Sequence, residues 1–318
     1  MNINKIVQQF LNTLPNLEGK KIAVGYSAGA DSTALLHVLE QKSKHFNFKL
    51  EAVFFSHLGS PINEGEDKNL ELARQFCKSL NIPLVEVELN LVKKAKKSWE
   101  QLGRNGRLDF YRNAEYDYAF LGHHKDDQNE TTMTQIFRGG GKGVSGMKAR
   151  DGIYCRPMLD VPKTAIYNYL TEKDIKWIED PTNINSDFTR NFWRNVGLPA
   201  IENHYPNYTD LLDNFREKNN TLHLIAFDMA KVDGLEAFLS GSSLNVRSLP
   251  EYRVQNLLAQ SFQFIGNSVE NKRIDTLLST GTKKNPSQLD LGDFSIVYNG
   301  KELKLSQVEH KQQYKLRA

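Results

Sequence analysis

The period of apolar and polar positions switches repeatedly over the first 140 residues, and each switch marks an element. Residues 21–26 (KIAVGY), 50–55 (LEAVFF), 83–89 (PLVEVEL) and 118–122 (YAFLG) are short apolar runs with polar flanks, the pattern of buried strands. Between them the period lengthens to that of a helix. STALLHVL covers 32–39, and over 66–80 Leu70, Ala73, Phe76, Cys77 and Leu80 share one face. Ser98 and Gln101 form a capping-box signature for a further helix. Another helix runs over about 126–138 and stops at Gly139, which suits a left-handed C-cap. Ahead of the first strand, Ile6, Val7, Phe10, Leu11 and Leu14 predict an amphipathic packing helix rather than a signal peptide. This alternation predicts an α/β fold, a parallel twisted sheet with helices on both faces.

Beyond Pro157 the strand signal weakens. Pro162 suits the first position of a helix reaching about Lys173, 175–179 reads as extended, and 188–203 as helical with Pro206 just past it. Residues 210–264 read as a helical stretch. Asn299-Gly300, between 295–298 and 302–305, is the strongest hairpin signal in the chain. Two domains are expected: 1–209, carrying the sheet, and 210–318, a smaller α+β domain.

Composition adds limits. The chain has 318 residues, 39% hydrophobic and 25% charged, as ordinary folded two-domain proteins do. Cys77 and Cys155 have neither CxxC nor metal-type spacing, so a disulfide framework is not expected and a reducing, cytoplasmic setting is. There is no apolar run of about 18 residues to span a membrane. A net charge of +3 neither requires nor excludes nucleic acid. Two basic clusters, Lys93, Lys94, Lys96 and Lys97, and Arg190 with Arg194, read either as solvated surface or as phosphate contacts.

Chemistry concentrates in two segments. Ser27-Ala28-Gly29-Ala30-Asp31-Ser32 joins the first strand to a helix. Its small side chains let backbone N–H groups approach phosphate oxygens, and the helix N-terminus adds positive potential. It is neither a Walker loop nor GxGxxG, and a purely structural turn is the alternative. The second segment, 121–132, reads LGHHKDDQNETT. Asp127 and Glu130 share one helical face, and Asp126 suits a helix cap. HHxxD is not HExxH and no cysteine is near, so zinc is disfavoured; two carboxylates beside a triphosphate suit Mg²⁺ or general-base work. Next comes RGGGKGVSGM over 138–147, a glycine-rich loop that is either plain surface or a substrate lid.

The first segment resembles SGGxDS, the signature of the PP-loop ATP pyrophosphatases, and departs from it at Ala28. GHHxDDQxET followed by RGGGxxGxSGM is similar to the tRNA(Ile)-lysidine synthetase family within that superfamily. Further pieces agree in order: Glu100, Arg104 and Arg107 resemble ExxxRxxR, 156–159 resembles RPLL, 177–183 resembles W-x-EDxSN with Thr182 for Ser, and Arg190, Asn191 and Arg194 resemble RNxxR. The C-terminal match, over 289–305, is weak.

That resemblance implies a PP-loop fold, ATP and Mg²⁺, and two further substrates, L-lysine and tRNA(Ile) with a CAU anticodon. The implied reaction joins lysine to C2 of the wobble cytidine through an adenylated intermediate. It assigns Ser27, Ala28, Gly29, Ala30, Asp31, Ser32 and His123 to the nucleotide. Asp31, Asp127, Glu130, Arg104 and Arg107 are assigned to catalysis, with Asp31 and Asp127 as Mg²⁺ ligands. Arg138, Gly139, Gly140, Arg190 and Arg194 are assigned to tRNA, as is the C-terminal domain, and a homodimer is allowed. The rivals are another PP-loop adenylating enzyme, such as a tRNA thiolase or a small-molecule amidoligase, and a non-catalytic RNA-binding module. Thiolases of the two-thiocytidine type need paired cysteines, which are lacking here, and bare RNA binding has no use for clustered acids.

Overall fold

The computed structural model describes residues 1–58, 66–90, 99–139, 144–179, 189–265, 271–291 and 293–307. Lys93, Lys94, Lys96, Lys97, Ser98, Gly140, Gly141, Lys142, Gly143, Asp180, Pro181, Thr182 and Asn183 lie outside the described residues, as does the side chain of Glu100. The chain divides into two compact units, Met1–Phe137 with Gly146–Leu212, and Arg138–Ser145 with Asp213–Ala318.

The first unit is built on a six-stranded sheet. Its elements are α1 (Ile3–Leu11), β1 (Lys21–Gly25), α2 (Ala30–Phe46), β2 (Lys49–Leu58), α3 (Glu66–Ser79), β3 (Leu84–Asn90), α4 (Trp99–Asn113), β4 (Tyr118–Phe120) and α5 (Lys125–Phe137). After these come β5 (Arg150–Asp151), β6 (Tyr154–Cys155), α6 (Lys163–Glu172), α7 (Thr189–Phe192), a π-helical turn (Trp193–Gly197) and α8 (Leu198–His204). The strand order is β3-β2-β1-β4-β6-β5. All neighbours pair in parallel except β5 with β6. The four strands read from the sequence are present. The two-residue β5 and β6 were not foreseen, because runs so short carry no period, and they make the sheet mostly rather than wholly parallel.

Alternation along the strands supplies both cores. On β1 and β2, Ile22, Val24, Leu50, Ala52 and Phe54 meet Ile3, Val7, Leu35, Leu39 and Ile166 from α1, α2 and α6 on one face. Ala23, Val53 and Phe55 meet Tyr111 and Tyr116 on the other. The chain steps outward from β1 through β2 to β3, then returns to place β4 on the opposite side of β1. This reversal puts a topological switch point at the carboxyl ends of β1 and β4, where open α/β sheets bind ligands.

In the second unit α9 (Tyr208–Val232), whose first residues belong to the first unit, is followed by α10 (Leu235–Leu239), β7 (Leu244–Asn245), α11 (Glu251–Phe264), α12 (Asn271–Thr280), β8 (Ser287–Leu291), β9 (Phe294–Tyr298) and β10 (Glu302–Gln307). The strands form an antiparallel sheet ordered β7-β10-β9-β8. The β9–β10 turn is the expected Asn299-Gly300 hairpin, with Asn299 Oδ1 accepting from the N–H groups of Lys301 at 3.1 Å and Glu302 at 2.8 Å. The continuous helical stretch expected over 210–264 is instead three helices and a short strand. Gly234, at φ 96°, leaves the helical region and ends the long helix, a conformation that costs other residues far more.

Tyr111 is 1% exposed, and its hydroxyl has no hydrogen-bond partner among the described residues. A buried donor without a partner costs about 1–3 kcal/mol. Tyr111→Phe is therefore expected to leave the thermal midpoint unchanged or raised. A clear drop would show that the hydroxyl is bonded.

Candidate active site

The turn after β1 is braced from within. Ser32 Oγ accepts from Ser27 N at 3.2 Å and donates to Gly29 O at 3.1 Å, while Thr33 Oγ1 donates to the same carbonyl at 2.8 Å. The first helical bond of α2 runs from Thr33 N to Gly29 O at 3.0 Å, so the N–H groups of Ala30, Asp31 and Ser32 precede it. No side chain caps α2, whose N-cap is Gly29. An uncapped helix N-terminus at a switch point presents N–H groups and positive potential to an anion. The loop is also stitched to the later chain: Ile178 N donates to Ala28 O at 2.9 Å, and Gly29 and Ile178 form an isolated parallel bridge.

The turn after β4 packs directly on this loop. A Cβ at Gly122 would lie 3.0 Å from both Asp31 C and Ser32 N, so a side chain here would have to push back the start of α2, and glycine allows the close approach. Two residues later His124, rather than Asp126, caps α5. Its Nδ1 accepts from Asp126 N at 3.3 Å, and Asp127 Oδ2 reaches back to accept from His124 N at 3.0 Å. This is the reciprocal geometry of a capping box, with a histidine in place of Ser or Thr. With Nδ1 accepting, Nε2 carries the proton, and it lies 3.7 Å from Asp31 Oδ1 and 3.5 Å from Asp127 Oδ2. His124 thus stands between the two motifs.

Asp127 and Glu130 are buried, Glu130 to 1% exposure. Arg190 and Arg194 bridge both of them. Arg190 Nε donates to Glu130 Oε2 at 2.7 Å and its terminal nitrogen to Asp127 Oδ1. Arg194 Nε donates to Glu130 Oε1 at 2.7 Å, and its NH2 group to Asp127 Oδ1 at 3.0 Å. Burial alone would raise the Asp127 pKa; the Arg190 guanidinium, His124 and His123 overcome it and hold the carboxyl well below the usual range. Burial likewise works against the Arg190 charge, and Asp127 and Glu130 more than restore it. The sequence reading gave Arg190 and Arg194 to tRNA phosphates; the structure engages both with carboxylates.

The other expected residues divide. Burial pushes the His123 imidazole down to about 3; Asp127 opposes this and Arg190, Arg156 and Arg104 reinforce it. Arg104 and Arg107 both lie on α4, Arg104 exposed and Arg107 half-buried. Arg138 is exposed just past α5, and Gly139 adopts the left-handed φ of 85° that a C-cap uses. One residue was missed. Lys163, the first residue of α6, donates to both oxygens of Asp31 at 2.7 and 2.8 Å.

A profile described as the PP-loop domain matches residues 2–201. The chain belongs to the PP-loop family. Among curated relatives, it is 31% identical to the tRNA(Ile)-lysidine synthase of Nitrosomonas europaea, over 76% of this chain and 54% of that protein. It is 29% identical to the one from Chlorobaculum tepidum, over 84% of this chain and 86% of that protein. The first relatives matched are longer, and the chain spans about half their length. In fold it is similar to the U34-tRNA thiolase of Methanococcus maripaludis, with a TM-score of 0.56 and 16% identity over 68% of this chain and 77% of that one.

For a PP-loop protein, Ala28 stands where the signature has glycine. It adopts φ 59°, the left-handed conformation that glycine takes freely, yet its side chain is fully buried in the α2-side core. The methyl group therefore faces away from an incoming phosphate. Relief of the left-handed strain, about 1 kcal/mol, and loss of a buried methyl, about 0.8 kcal/mol, nearly cancel. Ala28→Gly is expected to move stability by less than about 1 kcal/mol and to leave ATP affinity unchanged. A marked change in calorimetric ATP binding would show that the methyl group touches the nucleotide.

The depressed His123 pKa sets a pH dependence. The unfolded chain takes up this proton as pH falls through 6.5, whereas the folded chain resists it until about 3. Stability from the neutral, half-buried ring is therefore present above 6.5 and lost as pH falls from 6.5 toward 3. His123→Gln should flatten the fall in thermal midpoint over that window; an unchanged slope would place the titration elsewhere.

Proposed function

We propose that this chain ligates lysine to C2 of the wobble cytidine of tRNA(Ile) carrying a CAU anticodon, by way of an adenylated tRNA. The observation that carries this reading is the junction at the switch point: the phosphate loop after β1 and the buried acid pair after β4 meet through Gly122 and His124. The named relatives point to the same activity.

In the first step the cytosine O2 attacks the α-phosphorus of ATP and pyrophosphate leaves. The N–H groups at the start of α2 and the Ser27 hydroxyl would hold the phosphates, as donors that need no reorganisation during reaction. In the second step the lysine amine attacks C2 and AMP leaves. The amine must first shed a proton, because an ammonium has no lone pair. A carboxylate held far below its usual pKa is a poor proton acceptor, so Asp127 would act as a fixed, ionised anchor of the site rather than as the base. Arg190 and Arg194 then act by fixing the two acids in place. Arg104 and Arg107 on α4 would offset charge on the adenylated base. Arg138 and the second unit would meet tRNA phosphates, contacts that position rather than specify.

Among the described residues, no three His, Cys, Asp or Glu side chains group as a metal site. Mg²⁺ fits this chain as an ion shared between one carboxylate and substrate phosphates, its common mode in ATP-using enzymes. Asp31, a hard oxygen donor on the loop that retains some exposure, suits that part. Asp127 does not, because its carboxylate is buried beneath the Arg190 and Arg194 guanidiniums. When bound, the ion would neutralise polyphosphate charge. A sulfur-transfer reading gains no support: Cys77 and Cys155 are both buried, and burial pushes each thiol up to about 12.

Incubation with ATP, labelled lysine and total tRNA should place label in a single minor isoleucine tRNA. ATP–pyrophosphate exchange that needs no tRNA, with no label transferred, would instead mark a small-molecule ligase. Asp127→Asn should abolish lysine transfer and keep tRNA affinity within a few-fold; an active variant would remove Asp127 from the reaction.

A further inference from the structure

The loop Ser27–Ser32 poses an electrostatic problem. It contains a carboxylate, Asp31, and no basic residue, yet a triphosphate brings a large negative charge. Walker loops meet that charge with a lysine in their own sequence. Here the ammonium arrives from another element. Lys163 opens α6, where it bonds both oxygens of Asp31 at 2.7 and 2.8 Å. We propose that Lys163 is the cation of the phosphate loop and binds the β- and γ-phosphates of ATP directly. This inference rests on the ATP-dependent reading above and adds a residue to it.

Several observations converge on Lys163. A cation in the first turn of a helix opposes the helix dipole, and the first turn of α6 holds no acid to offset it. A lysine in that place has a local cost, which a positional role explains. The ammonium is held from two sides, by Asp31 and by the Tyr167 ring, whose centroid lies 5.0 Å away. Trp177 stacks on Tyr167 at 5.7 Å and 28°. The next residue, Ile178, donates to Ala28 O at 2.9 Å, so the aromatic support is bonded to the phosphate loop itself. Lys163 nonetheless keeps 24% side-chain exposure, which leaves the ammonium open to a ligand. Pro162, extended at ψ 150°, precedes it and fixes where α6 begins. The result is a preorganised ammonium beside the uncapped start of α2, an arrangement suited to a polyanion.

The test is calorimetric binding of ATP and of AMP to the full chain, without Mg²⁺, lysine or tRNA, so that a metal held by Asp31 drops out. Lys163→Met should weaken ATP by about 10-fold or more, the usual size for a charge-assisted hydrogen bond, and AMP by less than about 3-fold. Lys163→Arg should recover most of the loss. The double variant Asp31→Asn with Lys163→Met should stay weak for ATP. If the double variant regained affinity, Lys163 would merely neutralise Asp31 and the proposal would fall. Equal weakening of ATP and AMP would also overturn it, by assigning Lys163 a structural role, as would unchanged ATP binding. Lys163→Gln, which keeps a donor toward Asp31, reads the same ATP-to-AMP ratio if the methionine variant does not fold. Wild-type protein that bound no ATP even with Mg²⁺ restored would remove the proposed function together with this inference, whereas ATP binding indifferent to Lys163 would remove the inference alone.

Discussion

Two carboxylates almost without water, Asp127 and Glu130, set the terms for the rest of the site. A buried charge is costly unless it is paired and hydrogen-bonded. Arg190 and Arg194 satisfy this requirement from a segment 60 and more residues away. To do so they must face α5 together, and the chain reaches that position through α7 and a π-helical turn. Trp193 sits between the two arginines and packs with Met133 and Leu198, so the same turn that aims the guanidiniums also closes a small apolar cluster over α5. Single π-turns are rare and often mark functional sites, where they re-aim side chains. Here the re-aimed side chains are the partners of the acid pair.

From this cluster, a chain of polar and charged contacts continues to the phosphate loop. Arg190 and Arg194 hold Asp127, Asp127 closes the cap on His124, His124 Nε2 lies between Asp127 and Asp31, and Lys163 holds Asp31. The helix cap of α5 and the link between the two motifs are therefore one structure. A ligand charge introduced at Asp31 changes the field at His124 and, one contact further, at Asp127. In a site of low dielectric such neighbours are coupled, so the acid-pair end and the phosphate-loop end are poised to sense one another.

What could be read from the sequence followed from how local the cause was. The strands, the loop at Ser27 and the helix at Asp126 are fixed by neighbours a few residues apart, and periodicity recovers them. The Asn299-Gly300 hairpin is equally local. The pairing of Arg190 and Arg194 with Asp127 and Glu130 is not; the arginines read as surface cations because nothing nearby in the chain shows their partners. Lys163 was missed for the same reason, although a lysine placed against a helix dipole just after a proline was a signal that could have been used. His124 shows another limit. Acids in a first turn suggest a cap by Asp126, and only the fold reveals that the ring nitrogen caps while Asp127 completes the box. In the second unit, uneven apolar spacing over 210–264 hid a break at Gly234 that a left-handed backbone enforces.

The direction of the Asp127 shift carries the mechanism furthest. General bases work best when their pKa lies near the operating pH, and sites that need one raise a carboxylate by burying it without a partner. This chain buries Asp127 as deeply as such sites do and then surrounds it with guanidinium, imidazole and backbone N–H, which moves it the opposite way. Such surroundings preserve a permanent negative charge. That charge is matched by the guanidiniums that bridge it, so it holds Arg190 and Arg194 in a fixed arrangement against α5. The contribution of Asp127 is then to hold the guanidiniums and the cap of α5 in place rather than to accept a proton.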